Sequence, residues 1–85
     1  MNAIEVAQKV AAEHQAVLFR ERKGEPGQYD VKDLFSGKKK GWVILDGFSA
    51  SAIVQVYNAL NETNKAKFAA LPLVKMAMVA FKLIK

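Results

Sequence analysis

Between Leu71 and Ile84 the chain carries only two charged residues, Lys75 and Lys82, seven positions apart and therefore on one stripe of a helix. A helix that is apolar around nearly its whole circumference must be covered. Either it is the central helix of the fold or it meets another chain. Both can hold, because 85 residues supply too few neighbours to enclose one helix completely. That length allows one small domain, residues 1–85, and a chain 52% hydrophobic and 25% charged is globular in composition. With no cysteine, neither a disulfide nor a thiolate zinc site can staple it, and cysteine nucleophiles, redox motifs and iron–sulfur clusters are excluded.

Hydrophobic periodicity places the elements. Ala3, Val6, Ala7, Val10 and His14 share one face of a helix over residues 2–14, with Glu5 and Lys9 on the other side. Ala16-Val17-Leu18-Phe19 either extends that helix or begins a strand carrying Arg20 to Arg22. Glu25-Pro26-Gly27-Gln28 favours the strand, because Pro and Gly at its centre suit a type II turn, and Tyr29 to Asp33 then alternates like a half-exposed strand. Residues 36–41 are a polar connection, and Trp42 to Leu45 reads as a short buried strand ended by Asp46-Gly47. From Ser49 the period turns helical: Ser49 or Ser51 can cap, and Ile53, Val56, Tyr57 and Leu60 line one face. Asn61 caps a second short helix through Leu71, and Pro72 opens the third.

These elements predict an α+β domain, mostly helical: an N-terminal helix, a small antiparallel hairpin or meander, and two or three C-terminal helices. The alternative is an all-α chain with one extended segment. The expected core is Val6, Val10, Trp42, Ile44, Ile53, Val56, Tyr57, Leu60, Phe68, Leu71, Met78 and Phe81.

The inventory for catalysis is poor, and no enzyme and no cofactor are expected. His14, on the apolar side of the first helix, reads as structural. Asp30, Asp33 and Asp46 match no metal loop, so no metal site is expected. Gly37-Lys38-Lys39-Lys40-Gly41 lacks the earlier glycine and the Lys-Ser/Thr pair of a phosphate loop. No secretory signal is visible in Met1 to Glu5, and the apolar run Met76 to Phe81 is far below the roughly 20 residues of a membrane span. A cytoplasmic location follows as the expectation, so Asn61-Glu62-Thr63 reads as a helix cap rather than a glycosylation site.

The formal net charge of +5 has two sources. Lys38, Lys39 and Lys40, joined by Arg20, Arg22 and Lys23 with Tyr29, Phe35 and Trp42 near in sequence, form a candidate nucleic-acid segment. Lys65, Lys67, Lys75, Lys82 and Lys85 form the second group. The competing reading of both is a solvated face that keeps an apolar protein soluble. No DNA-recognition helix supports specific readout, since Pro72 to Lys85 is too apolar to read base edges. That segment is cationic and apolar but lacks the wide polar face of an interfacial membrane helix.

Residues 42–85, with Ser49-Ala50-Ser51-Ala52-Ile53-Val54-Gln55-Val56-Tyr57-Asn58-Ala59-Leu60-Asn61, then Asn64-Lys65-Ala66-Lys67-Phe68 and the apolar tail, resemble small uncharacterised proteins encoded by bacteriophages and prophages. The resemblance implies an accessory protein of a mobile element in a bacterial cytoplasm, acting by binding and modulating a host or phage machine. The leading functional expectation is thus a non-enzymatic protein-interaction module, self-associating or occluding a partner through Leu73, Met76, Val79, Ala80 and Phe81 of the last helix. The alternative is phosphate contact with nucleic acid through Arg20, Arg22, Lys23, Lys38, Lys39 and Lys40.

Overall fold

The computed structural model describes residues 1–84; Lys85, a member of the second basic group, lies outside the described residues. The chain is α+β and mostly helical: α1 (Ala3–Glu13), β1 (Val17–Glu21), β2 (Tyr29–Asp33), β3 (Val43–Leu45), α2 (Gly47–Ala59), α3 (Glu62–Ala69) and α4 (Leu73–Ile84). The strand reading of Val17 to Glu21 therefore holds, and the all-α alternative falls.

Each helix start is chemically marked. The Asn2 side chain accepts from the Glu5 amide at 2.9 Å, and Glu5 Oε1 accepts from the Asn2 amide at 2.8 Å, a reciprocal capping box on α1. Asp46 caps α2 by accepting from the Ser49 amide at 2.7 Å, so Asp46-Gly47 opens the helix and neither Ser49 nor Ser51 caps it. Aspartate there also meets the positive end of the helix dipole. Asn61 caps α3 as expected, accepting from the Asn64 amide at 2.9 Å. His14 is not on the apolar face: it is exposed beyond α1 with φ 54°, the left-handed conformation that ends the helix.

β1 is the central strand, antiparallel to β2 on one side and β3 on the other. The β1–β2 turn is the expected one, with the Gln28 amide donating to the Glu25 carbonyl at 3.0 Å across Pro26 and a Gly27 at φ 82°. Because β2 and β3 flank opposite edges of β1, the connection 34–42 carries the chain from one edge of the sheet to the other. Helices occupy the inner face, so this connection is left with the outer one.

One core collects α1, the inner sheet face and one side each of α2 and α4: Val6, Val10, Val17, Phe19, Leu45, Ile53, Phe68, Leu73 and Met76 are all buried. No buried polar or charged residue occurs among the described residues. Of the expected core, Val6, Val10, Ile53, Val56 and Phe68 are buried, while Tyr57, Leu60 and Leu71 pack half-buried at its margin. Ile44, Met78 and Phe81 are instead exposed, and Trp42 is half-buried outside the helical core. The reason is geometric: β3 is an edge strand, and α4 has neighbours on only one side.

Tyr29 ties the layers together. Its ring meets Phe19 edge-on at 5.9 Å, its amide donates to the Met1 carbonyl at 2.7 Å, and its hydroxyl accepts from the buried Leu73 amide at 3.0 Å. The first amides of a helix lack partners within it, and Pro72 supplies no capping side-chain acceptor. Tyr29 supplies one from 44 residues away.

Candidate protein-interaction site

At 100° per residue, Leu73, Met76 and Ala80 occupy one side of α4 and Val74, Ala77, Met78 and Phe81 another. The first three are buried against α2 and the sheet, so three residues expected on the docking face belong to the core. Val79 is half-buried against the same core, and of the five only Phe81 opens onto the surface. A helix apolar all round does not announce which side turns inward; that is set by where α2 and β1 lie.

The uncovered side of α4 is continued by other elements. Val74 is 51% exposed and Met78 58%. Phe81 stacks on Phe48 at the start of α2, with ring centroids 5.7 Å apart and planes 20° from parallel, yet Phe48 remains 77% exposed. Across from them Val43 and Ile44 of β3 are also exposed. Between α4 and β3 runs an open groove of about 190 Å³, floored by Phe19, Leu45 and Leu73 and walled by Val43, Ile44, Ser49, Val74, Met78 and Phe81. Stacked rings left in water gain little from each other compared with what full desolvation would give, and contiguous exposed apolar side chains of this size mark interaction sites in small proteins. Phe48 carries no signal in the sequence, because it precedes the periodic stretch of α2, and Val43 stands in a continuous apolar run that reads as buried.

The face has a charged border. Lys75 and Lys82 fall just beyond Met78 on the α4 surface, both exposed.

The basic residues lie elsewhere. Arg20 and Arg22 on and just after β1 share Asp30 of β2, at 3.7 and 3.0 Å, and Glu25 takes Arg22 at 3.5 Å. The Asp30 hydrogen bond, with the Glu25 charge second, holds the Arg22 guanidinium still further above its ordinary range. Lys23 is exposed in the β1–β2 turn, and Lys38, Lys39 and Lys40 are exposed on the connection to β3. Other polar groups are already committed to structure: His14 ends α1, Asp46 caps α2 and Asp30 pairs with arginines. Among the described residues, no group of three or more metal-ligating side chains lies together, and no helix is long and apolar enough to cross a membrane.

Set against known proteins, the chain matches no family model, no curated protein and no solved structure.

Proposed function

We propose that the protein is a non-enzymatic protein-interaction module that docks a partner protein on the apolar face made by Val43, Ile44, Phe48, Val74, Met78 and Phe81. The observation that carries the reading is the groove between α4 and β3 with the stacked, exposed Phe48–Phe81 pair on its rim. The Lys75–Lys82 border and the net charge of +5 favour a partner whose apolar ridge is flanked by acidic side chains over a second copy of this chain. Every named residue of the face lies within 42–85, the part that resembles phage- and prophage-encoded proteins. The corresponding setting is a bacterial cytoplasm, where occupying a surface of a host or phage machine modulates or inhibits it.

Affinity capture from bacterial lysate, with nuclease and high salt, tests this when wild type is run beside Met78→Glu and a variant with Lys38, Lys39 and Lys40 all changed to alanine. A defined protein retained by wild type and the lysine variant but lost with Met78→Glu, and then rebound as a purified pair, supports the reading. Equal retention by Met78→Glu overturns it. Sedimentation of the purified chain supplies the remaining outcome: a dimer broken by Met78→Glu would make a second copy the occupant and overturn the acidic partner.

A further inference from the structure

The sheet face turned away from the helices gathers charges that the apolar face does not use. Register sets Leu18 between Lys32 and Ile44, and Arg20 beside Asp30. The connection 34–42 folds across this face: Lys32 Nζ donates to the Lys38 carbonyl at 2.7 Å, and the Trp42 amide donates to the Lys39 carbonyl at 3.0 Å. Trp42 is thereby seated with the Arg20 guanidinium carbon 4.4 Å and Lys32 Nζ 4.3 Å from its ring centroid. Two stretches separated in sequence, the end of β1 and the lysine run, become one cationic surface. Arg20, Arg22, Lys32, Lys38, Lys39 and Lys40 stand there against Asp30 and Glu25. Phe35, 82% exposed, stands in the same connection.

We propose that this outer face binds single-stranded nucleic acid, with Lys38, Lys39 and Lys40 taking phosphates and the exposed Phe35 taking a base by stacking, while Arg20 and Lys32 leave the Trp42 ring for phosphates and a base takes their place on it. The cationic site is distinct from the apolar face of α4, and the two surfaces meet at Ile44, which stands beside Leu18 on the outer sheet face. Cations interleaved with accessible aromatic rings match the alternation of phosphates and bases along an unpaired strand. A duplex keeps its base faces stacked inside and is read by an element that enters a groove, which a sheet face crossed by a loop does not offer. An anionic bilayer would reward a broad cluster of protruding apolar side chains, whereas this face offers only the exposed Ile44 and Phe35 among its cations, with Leu18 1% exposed and Leu34 half-buried.

The chain's one tryptophan is the reporter. The full chain is titrated with an oligothymidylate of about 15 nucleotides over a sodium chloride series, following Trp42 fluorescence and the anisotropy of a label on the strand. The expected result is a Trp42 change that saturates with binding, and an affinity that falls with salt by a log–log slope of about 0.7 per phosphate engaged. Changing Lys38, Lys39 and Lys40 to alanine together should lower that slope by about 2. Trp42→Phe should weaken binding about fivefold or less, and Trp42→Ala about fivefold or more, with circular dichroism confirming that each variant stays folded. Asn58→Ala, exposed on α2, should leave the titration unchanged. The proposal is overturned by an unchanged slope in the lysine variant, by a silent Trp42, or by equal affinity and Trp42 response with polyglutamate. Tighter binding to phosphatidylserine vesicles than to the strand at equal phosphate also overturns it and assigns the face to a membrane surface.

Discussion

Tyr29→Phe removes one oxygen and tests how this fold closes. The hydroxyl accepts from the Leu73 amide at 3.0 Å, and Leu73 is the first residue of α4, where no intrahelical acceptor exists. Tyr29 and Leu73 are both buried. Without the hydroxyl that amide faces a phenyl edge, and leaving a buried donor unpaired costs about 1–3 kcal/mol. The phenyl ring itself keeps the edge-on contact with Phe19, so packing loss does not contribute. Unfolding entropy of about 2.1 cal/mol/K per residue gives about 0.18 kcal/mol/K for a chain this size, so Tm should fall by about 6–17 °C. The low end applies if water reaches the amide from the groove beside Pro72 and Leu71. Thermal and urea unfolding followed by circular dichroism measure the change, and amide exchange localises it to the first turn of α4. A loss below about 0.5 kcal/mol with unchanged exchange at Leu73 would refute the claim that Tyr29 caps this helix.

The two inequivalent sides of α4 predict opposite outcomes for its methionines. Met76→Ala empties a fully buried site and should cost about 2–5 kcal/mol, while Met78→Ala should stay within about 0.5 kcal/mol; similar losses from both in urea unfolding would contradict the burial assigned to them. Asp46→Ala should cost about 0.5–2 kcal/mol by removing the α2 cap, whereas Ser49→Ala, whose amide alone makes the bond, should be near neutral; the reverse order in thermal melts would return the cap to serine.

Local chemistry was readable where a few consecutive residues decide the outcome. The Pro26-Gly27 turn and the Asn61 cap each act within one turn of chain, and the structure holds both. The start of α2 is less legible, because its apolar period begins later than the helix and leaves Asp46 outside the window that the period defines. His14 is the complementary case: its spacing continues the apolar face of α1, but the chain leaves the helix at that residue.

Burial was less legible, because it depends on neighbours. Trp42 and Ile44 have the residue types of a buried strand, yet β3 sits at the sheet edge, where Ile44 is exposed. Leu73, Met76 and Ala80 are chemically no different from Val74, Met78 and Phe81; one set is in the core and the other faces water. Most of the residues expected on the docking face therefore fall on the buried side of α4. Arg20 and the lysine run can be grouped by charge, whereas the part of Lys32 and the contact of Trp42 with two cations depend on the crossover from β2 to β3.

By itself, then, the amino-acid order determined the class of fold, the turn and cap chemistry, and the presence of more apolar helix surface than 85 residues can cover. Those properties follow from short-range sterics, hydrogen bonds and the ratio of surface to volume, all of which a linear reading contains. Tertiary structure alone decided which half of α4 stays uncovered and which distant cations share a surface. Both depend on a strand order of β2-β1-β3 that joins residues far apart in the chain, and no local pattern encodes that adjacency.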